Sequence, residues 1–426
     1  MSMSLASLTR RAKKLLPPRL LRAYHFGMAI GSALLLGFPS RSLVVIGVTG
    51  TKGKSSTTEF INAICEAAGA QTAVLNSIRV KVGAQSRPNR MRMSMPGRFF
   101  IQDFFSRAVS EGCRYAIIEE TSEGARQHRH RGIGLDALVF TNLAPEHIES
   151  HGSLEAYAAA KLELGAQLVR SRKRPRIMVA NADDPLGARF LALPVERPLP
   201  FSLTADATAT ADDQGGRFRF GDLAIAVHQP GRFSLENALA AATVCRALGI
   251  TNDAIARGIA SVTRIPGRAE RIEAGQPFAV VVDYAHTPDS LRALYEAYAS
   301  RRRIAVLSAT GGGRDMWKRP VMGKVAAELC DEVILTDEDP YDEDPRSIVE
   351  QVARGMEGVA EPTIVMDRRL AIREALKRAQ PGDAVLITGK GTDPTMQGPR
   401  GTSIPWSDAE VAREELAALG FPARTA

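Results

Sequence analysis

The feature that most constrains this chain is Gly47-Val-Thr-Gly50-Thr-Lys-Gly53-Lys54-Ser55-Ser56. It sits between a β-branched apolar run, Leu43 to Val48, and a helically spaced segment, Thr57 to Ala68. Strand, Gly-rich loop and helix in that order make a phosphate-binding loop. Glycines let backbone N–H groups curl around phosphate oxygens, and the helix N-terminus adds positive potential. Lys54 supplies a cation, and the Ser55 hydroxyl is a Mg²⁺ ligand. The strict spelling G-x4-G-K-[ST] needs Gly where Val48 stands, so this loop is a variant. Gly50, Thr51, Lys52, Gly53, Lys54, Ser55 and Ser56 are the expected nucleotide contacts.

Further apolar runs follow at helix-sized intervals: Ala73 to Leu75, Tyr115 to Ile118, Ala137 to Phe140 and Ile177 to Ala180. Strands alternating with helices predict a parallel α/β sheet with its chemistry at the strands' carboxyl ends. Residues 199–228, rich in Thr, Ala, Asp and Gly, read as a small antiparallel excursion. Leu235 to Leu248 is an Ala-rich helix ended by Gly249, and Ile265-Pro-Gly-Arg268 is a turn. The α/β rhythm then restarts, with strands at Ala279 to Val282, Ile304 to Leu307, Val333 to Leu335 and Ala384 to Ile387. The expected class is α/β: a P-loop parallel-sheet ATPase domain over residues 41–264, then a Rossmann-like α/β C-terminal domain over 265–426. At roughly 150 residues per domain, 426 residues agree with that division.

Residues 1–40 read as a basic helical segment. No acid precedes Glu59, while Arg10, Arg11, Lys13, Lys14, Arg19 and Arg22 are cationic and Phe26 to Pro39 is uncharged. This imitates a secretory signal, but there is no small-x-small cleavage site and the run leads straight into the strand and phosphate loop. It is too short to cross a bilayer, which takes about 20 residues. Two readings stay open: a helix docked on the body of the protein, and a basic amphipathic helix at a membrane surface. Docking without spanning is the expectation.

Cys65, Cys113, Cys245 and Cys330 are far apart and form no C-x-x-C pair, so a disulfide framework or zinc ribbon is disfavoured and a reducing cytoplasm is expected. A net charge of +8 suits polyanionic partners, yet 6% aromatic residues offer little for base stacking. The basic cluster Arg170 to Arg176 reads as a solvated loop. No nucleic-acid partner is expected, and the chain is expected to be a monomer.

The loop spelling Thr-Gly-Thr-Lys-Gly-Lys-Ser resembles that of the Mur ligase superfamily, ATP-dependent amide ligases that work through an acyl phosphate. Independent stretches carry the same resemblance. Ile118-Glu119-Glu120-Thr121-Ser122 is similar to E-V-S-S, Thr141-Asn142-Leu143 with Glu146-His147 and His151 to T-N-L-x-x-D-H-L-D-x-H, and Tyr157 with Lys161 to Y-x-x-A-K. Asn181-Ala-Asp-Asp-Pro185, Gly231-Arg-Phe-Ser-Leu-Glu-Asn237, Pro266-Gly-Arg268-Ala-Glu270 and Asp283-Tyr-Ala-His286-Thr-Pro288 continue the series. The resemblance implies ATP and two Mg²⁺ ions, Ser55 on one and Glu120, His147 and a carbamylated Lys161 on the other. It places Lys54, Lys161, His147 and Glu120 as catalytic residues and Asn142, Asn237, Arg268, Asp283 and His286 around the nucleotide. Arg268, Asp283 and His286 lie in the far domain, so they would reach ATP only on domain closure.

Gly311-Gly-Gly-Arg314-Asp315 with Lys318-Arg-Pro320, and Gly389-Lys-Gly391, are most similar to the MurE-type branch, which adds the third residue to UDP-N-acetylmuramoyl-dipeptide. The implied partners are an amino acid and a carboxylate acceptor, contacted by Ser94, Ser122, Arg314, Asp339, Tyr341, Gly389 and Asp393. A folylpolyglutamate-synthase-like or other poly-amino-acid ligase is the alternative. Two departures matter. The branch carries a sugar-nucleotide domain ahead of the loop, whereas 46 residues precede Gly47 here, so that site is expected to be absent or rebuilt. And where diaminopimelate-adding enzymes carry D-N-P-R, this chain reads Glu338-Asp339-Pro340-Tyr341. An acidic, arginine-free pocket for a basic amino acid is expected.

Overall fold

The computed structural model describes residues 17–146 and 148–421. Helix α1 (Pro18–Leu35) leads into β1 (Val44–Thr49), the phosphate loop and α2 (Lys54–Ala67). Next come β2 (Thr72–Leu75), a hairpin of β3 (Arg79–Val82) and β4 (Gln85–Pro88), α3 (Arg98–Ser110), β5 (Tyr115–Glu119), α4 (Ser122–Arg126) and β6 (Ala137–Phe140). Helices α5 (Ile148–His151) and α6 (Leu154–Arg170), strand β7 (Ile177–Asn181), helix α7 (Gly187–Leu191) and strand β8 (Arg197–Phe201) complete the first sheet region. That sheet has the order β4-β3-β2-β5-β1-β6-β7-β8, parallel except for the β3–β4 hairpin at one edge.

Strands β1, β5, β6 and β7 are buried almost throughout, which is why they read as unbroken apolar runs and not as alternating ones. One sheet face packs on α2, α8 (Arg232–Ala247) and α9 (Asn252–Ser261) through Phe60, Ile64, Leu235 and Ile255. The other face is covered by α3 and α6 through Phe104, Phe105, Leu164 and Leu168. The antiparallel excursion is a three-stranded sheet of β9 (Thr210–Ala211), β10 (Gly216–Phe220) and β11 (Leu223–Val227), with Phe218, Phe220 and Ile225 packed into the first core.

The second sheet has the order β12-β13-β17-β14-β15-β16, from β12 (Glu270–Arg271), β13 (Ala279–Asp283), β14 (Arg303–Leu307), β15 (Glu332–Leu335), β16 (Thr363–Ile364) and β17 (Ala384–Thr388). All but β12 run parallel. Helices α10 (Pro288–Ala297), α11 (Lys318–Leu329), α12 (Pro345–Arg354), α13 (Arg368–Arg378) and α14 (Asp408–Ala418) cover its two faces.

The basic run after α6 is largely neutralised within the protein: Arg170 pairs with Glu163, Arg174 and Arg176 with Glu196, and Lys173 with Asp136. Among the described residues no helix is long and apolar enough to cross a membrane.

Candidate active site

A cavity of about 520 Å³ lies where the carboxyl ends of both sheets converge. Its first wall is the phosphate loop, Thr51 to Ser56, with Glu119 after β5 and Tyr157 and Lys161 from α6. The second wall comes from the loops after β13, β14, β15 and β17: Tyr284 and His286, Thr310 and Arg314, Glu338, Asp339 and Tyr341, and Gly389, Thr392 and Asp393.

The loop is braced from behind. Asn142 accepts the Lys52 N–H at 2.8 Å and Thr141 donates to the Lys52 carbonyl at 2.6 Å. Gly53 opens α2 at φ 81, and Asn237 lies directly against it, so a Cβ there would collide with Asn237 Oδ1. Asn142 and Asn237, expected to face the nucleotide, thus support the loop and do not line the cavity. Gly53→Ala is expected to raise the Kd for ADP at least about tenfold, from left-handed strain plus the clash. Calorimetric ADP titration checks this, and a thermal scan shows that the variant is folded.

Lys54 Nζ rests on the carbonyls of Gly50 and Thr51, 3.0 and 2.8 Å away, and 4.0 Å from Glu119. Ser55 Oγ donates to Glu119 at 2.8 Å, and Ser94 donates to the other carboxylate oxygen at 2.8 Å. The structure corrects the expectation for Glu120. Successive strand residues point to opposite sides, so Glu119 enters the cavity while Glu120 turns back beneath β1, close to Gly47. Glu120 is fully buried, neither oxygen has a hydrogen-bond partner within bonding distance among the described residues, and burial pushes its carboxyl up to about 8. The carboxylate that can meet a cation beside Ser55 is Glu119.

Lys161 is buried and donates to the Gly50 carbonyl at 2.7 Å, with its ammonium 4.5 Å from the centre of the Tyr157 ring. Burial, then the charge of Lys54, hold its amine well below the usual lysine range. His147 lies outside the described residues. Among those described, no three His, Cys, Asp or Glu side chains already converge as a metal site. The hard-oxygen pair Ser55 and Glu119 nevertheless suits Mg²⁺.

The far domain closes on this wall. Arg268 reaches Ser77 Oγ at 3.0 Å and Ser55 Oγ at 3.3 Å while lying 4.5 Å over the Tyr284 ring. Glu146 bridges the two domains: Lys52 Nζ is 3.2 Å from one oxygen and His286 Nε2 is 2.7 Å from the other. Burial, reinforced by Lys52, lowers His286 to about 4. Asp283 does not line the cavity; it accepts the N–H groups of Ala269 and Ala285, each at 2.6 Å, and so fixes the loops carrying Arg268 and His286.

Ser94 and Ser122 on the first wall and Arg314, Asp339, Tyr341, Gly389 and Asp393 on the second all line the cavity. Lys390 is clamped on Asp339, both distances 2.9 Å, and stands 3.3 Å from Asp393. Glu338 is buried; Lys390 and Arg368, with the hydroxyls of Ser308 and Thr310, overcome the effect of burial and keep it below the usual carboxylate range. The pocket is not free of arginine. Arg92, from the loop after β4, pairs with Asp393 at 3.1 Å and approaches Asp339 at 3.6 Å. Arg314 Nη2 is 3.2 Å from the Tyr341 hydroxyl. Sequence reasoning gave Glu119 and Ser77 no role, and placed Arg92 in a basic stretch beside an anionic acceptor without foreseeing its pairing with Asp393. For Glu119 the signal was present in the strand's alternation. For the Arg92–Asp393 pairing there was none, because the two residues are remote in sequence.

Comparisons with known proteins agree with this geometry. Residues 48–245 match the Mur ligase middle domain and residues 267–391 the Mur ligase, glutamate ligase domain. A UDP-N-acetylmuramyl-tripeptide synthetase of Roseiflexus sp. (strain RS-1) is 39% identical over 92% of this chain and 82% of the relative. A UDP-N-acetylmuramoyl-L-alanyl-D-glutamate–2,6-diaminopimelate ligase of Geobacillus kaustophilus is 35% identical over 92% of this chain and 83% of its own length. Among solved structures, a diaminopimelate ligase of that type superposes with TM-score 0.61 at 28% identity, over 89% of this chain and 79% of that one. A Mycobacterium tuberculosis folylpolyglutamate synthase with ADP and AMPPCP superposes with TM-score 0.69 at 19% identity, over 86% and 93%, a likeness of fold.

Proposed function

The chain belongs to the Mur ligase family, and on that premise we propose that it joins an amino acid to a UDP-N-acetylmuramoyl-peptide in peptidoglycan synthesis, using ATP and Mg²⁺. The observation that carries this reading is the single cavity that sets the phosphate loop and Glu119 opposite the Asp339–Asp393 pocket.

The reaction brings two anions together, the ATP γ-phosphate and the acceptor carboxylate. Lys54, the loop N–H groups and Arg268 offset that charge, so the carboxylate oxygen can bond to the γ-phosphorus as ADP leaves. The amine of the incoming amino acid then attacks the acyl phosphate. The new C–N bond forms as inorganic phosphate departs, and the amine's proton is lost. Closure of the far domain keeps water from the acyl phosphate. Ser55 and Glu119 would hold Mg²⁺, whose charge supplies further stabilisation to the transferring phosphoryl group. Lys161 fits carbamylation because burial and the charge of Lys54 favour its neutral amine, the form that is nucleophilic toward CO₂. The N–C bond forms and one proton is released, leaving an anionic oxygen ligand for a second ion together with His147. An ADP-release assay over a panel of UDP-sugar peptides, folates and amino acids, with product masses, tests the reading. Turnover with folate acceptors alone would overturn it.

The amino acid is proposed to be basic, lysine or ornithine. Arg92 already lays a guanidinium on Asp393 and Asp339, and an incoming side-chain ammonium can take that place without changing the pocket's charge. A second carboxylate has no fork at position 341, where Tyr341 offers one neutral hydroxyl. We expect kcat/KM for lysine or ornithine to exceed that for meso-diaminopimelate by roughly 10²-fold, the size of one lost charge-assisted pair. Tyr341→Arg is expected to gain diaminopimelate activity. Equal selectivity in the parent enzyme would remove the claim.

A further inference from the structure

Helix α1 presents an apolar stripe to solvent on the side opposite its docking face. Its inner side is anchored: Ala29, Ser32 and Ala33 are buried, Ala33 lies close against Gly132, and the Phe26 ring meets the His128 ring edge-on at 6.1 Å. The outer side carries Leu20, Met28, Leu34 and Leu35, exposed by 57, 47, 62 and 80%. Positions 20, 24, 27, 28, 31, 34 and 35 fall on one helical stripe. Gly27 and Gly31 lie within it, and no described residue covers either of them.

An ordinary surface helix turns charged residues outward; here there is no charged side chain from position 23 to position 40. The charges that bracket the stripe are all positive: Arg19 and Arg22 at one end and Arg41 at the other. The sequence before the helix adds Arg10, Arg11, Lys13 and Lys14, and no acid occurs before Glu59. An exposed apolar line with a purely cationic frame complements one kind of surface, an anionic lipid leaflet. The side chains can enter the acyl boundary there while Arg and Lys meet the headgroups.

We propose that α1 is an interfacial membrane anchor, lying flat on anionic phospholipid with Leu20, Met28, Leu34 and Leu35 inserted, while its inner face stays docked on the ligase body. The membrane reading and the docked reading of the sequence then describe two faces of the same helix. The proposal does not depend on which amino acid or acceptor the enzyme uses.

The test is co-sedimentation of the full chain with vesicles of pure phosphatidylcholine and with vesicles in which roughly one-third is phosphatidylglycerol. Binding is expected to the anionic vesicles, to weaken with added salt, and to fall at least roughly tenfold in Leu34→Glu/Leu35→Glu, with ADP-release activity and thermal midpoint unchanged. Both leucines are exposed and outside the cavity, so loss of vesicle binding in a folded, active variant isolates the stripe. Equal binding by the variant, or no binding of the parent at low salt, would overturn the proposal. So would a dimer in light scattering that the double variant dissociates while neither protein binds vesicles, because the stripe would then be an interface between copies.

Discussion

Lys161→Ala is expected to abolish ligation, with kcat falling on the order of 10³-fold or more, while the Kd for ADP changes by less than about threefold. The asymmetry follows from position. Lys161 Nζ donates to the Gly50 carbonyl from the cavity wall beside the loop, whereas the phosphate contacts are expected from Lys54 and the N–H groups at the start of α2, which remain when the side chain is removed. Removing the side chain deletes the anionic ligand proposed for the second ion, and leaves the phosphate cradle in place. Short carboxylates such as acetate or propionate, small enough for the vacated space, are expected to restore part of the rate. A ¹³C carbamate resonance after bicarbonate addition, present in the parent and absent in the variant, reads the modification independently of turnover. Full activity of Lys161→Ala would refute the assignment.

The second large effect separates two neighbours. Glu119→Gln is expected to lower kcat by about 10²–10³-fold, because its oxygens hold Ser55 and Ser94 and face the phosphate loop. Glu120→Gln is expected to leave kcat within about threefold and to stabilise the protein. The Glu120 carboxyl keeps its proton up to about 8 in the fold, whereas in the unfolded chain it ionises in the ordinary carboxylate range. As pH rises between those values the unfolded state loses its proton first. Stability is therefore whole in acid and is eroded toward pH 8, by about 3 kcal/mol at neutrality. An amide of the same shape carries no such penalty. Thermal midpoints of parent and variant between pH 5 and 8 should diverge as the pH rises. Parallel curves, or inactivity of Glu120→Gln with full activity of Glu119→Gln, would reverse the assignment.

These two residues also show what was legible in the sequence. The parallel strands were, because strands covered on both faces spell unbroken apolar runs: Ala137–Phe140 was delimited as observed, and β5 and β7 within one residue. The β3–β4 hairpin was not, since Arg79–Val82 and Gln85–Pro88 carry no such run. The phosphate loop and the far-domain loops were legible as resemblance. That resemblance could not choose between adjacent glutamates, and it gave the supporting asparagines a forward role that the hydrogen bonds of Asn142 assign to the loop itself. The link from Arg92 to Asp393 depends on tertiary approach of two loops, which no local pattern encodes.

The cavity's two walls are inherited from separate sheets. In the proposed reaction the phosphate loop comes from the first and most of the amine pocket from the loops after β15 and β17 in the second, while Arg268 and Arg92 each cross to the opposite wall. A substitution in one wall therefore has to be fitted to the residue that reaches it from the other. The contacts of Arg268 with Ser55, Glu146 with His286 and Arg92 with Asp393 fasten the walls, and each must part before ADP and product escape. Opening the cavity requires at least these charged contacts to part.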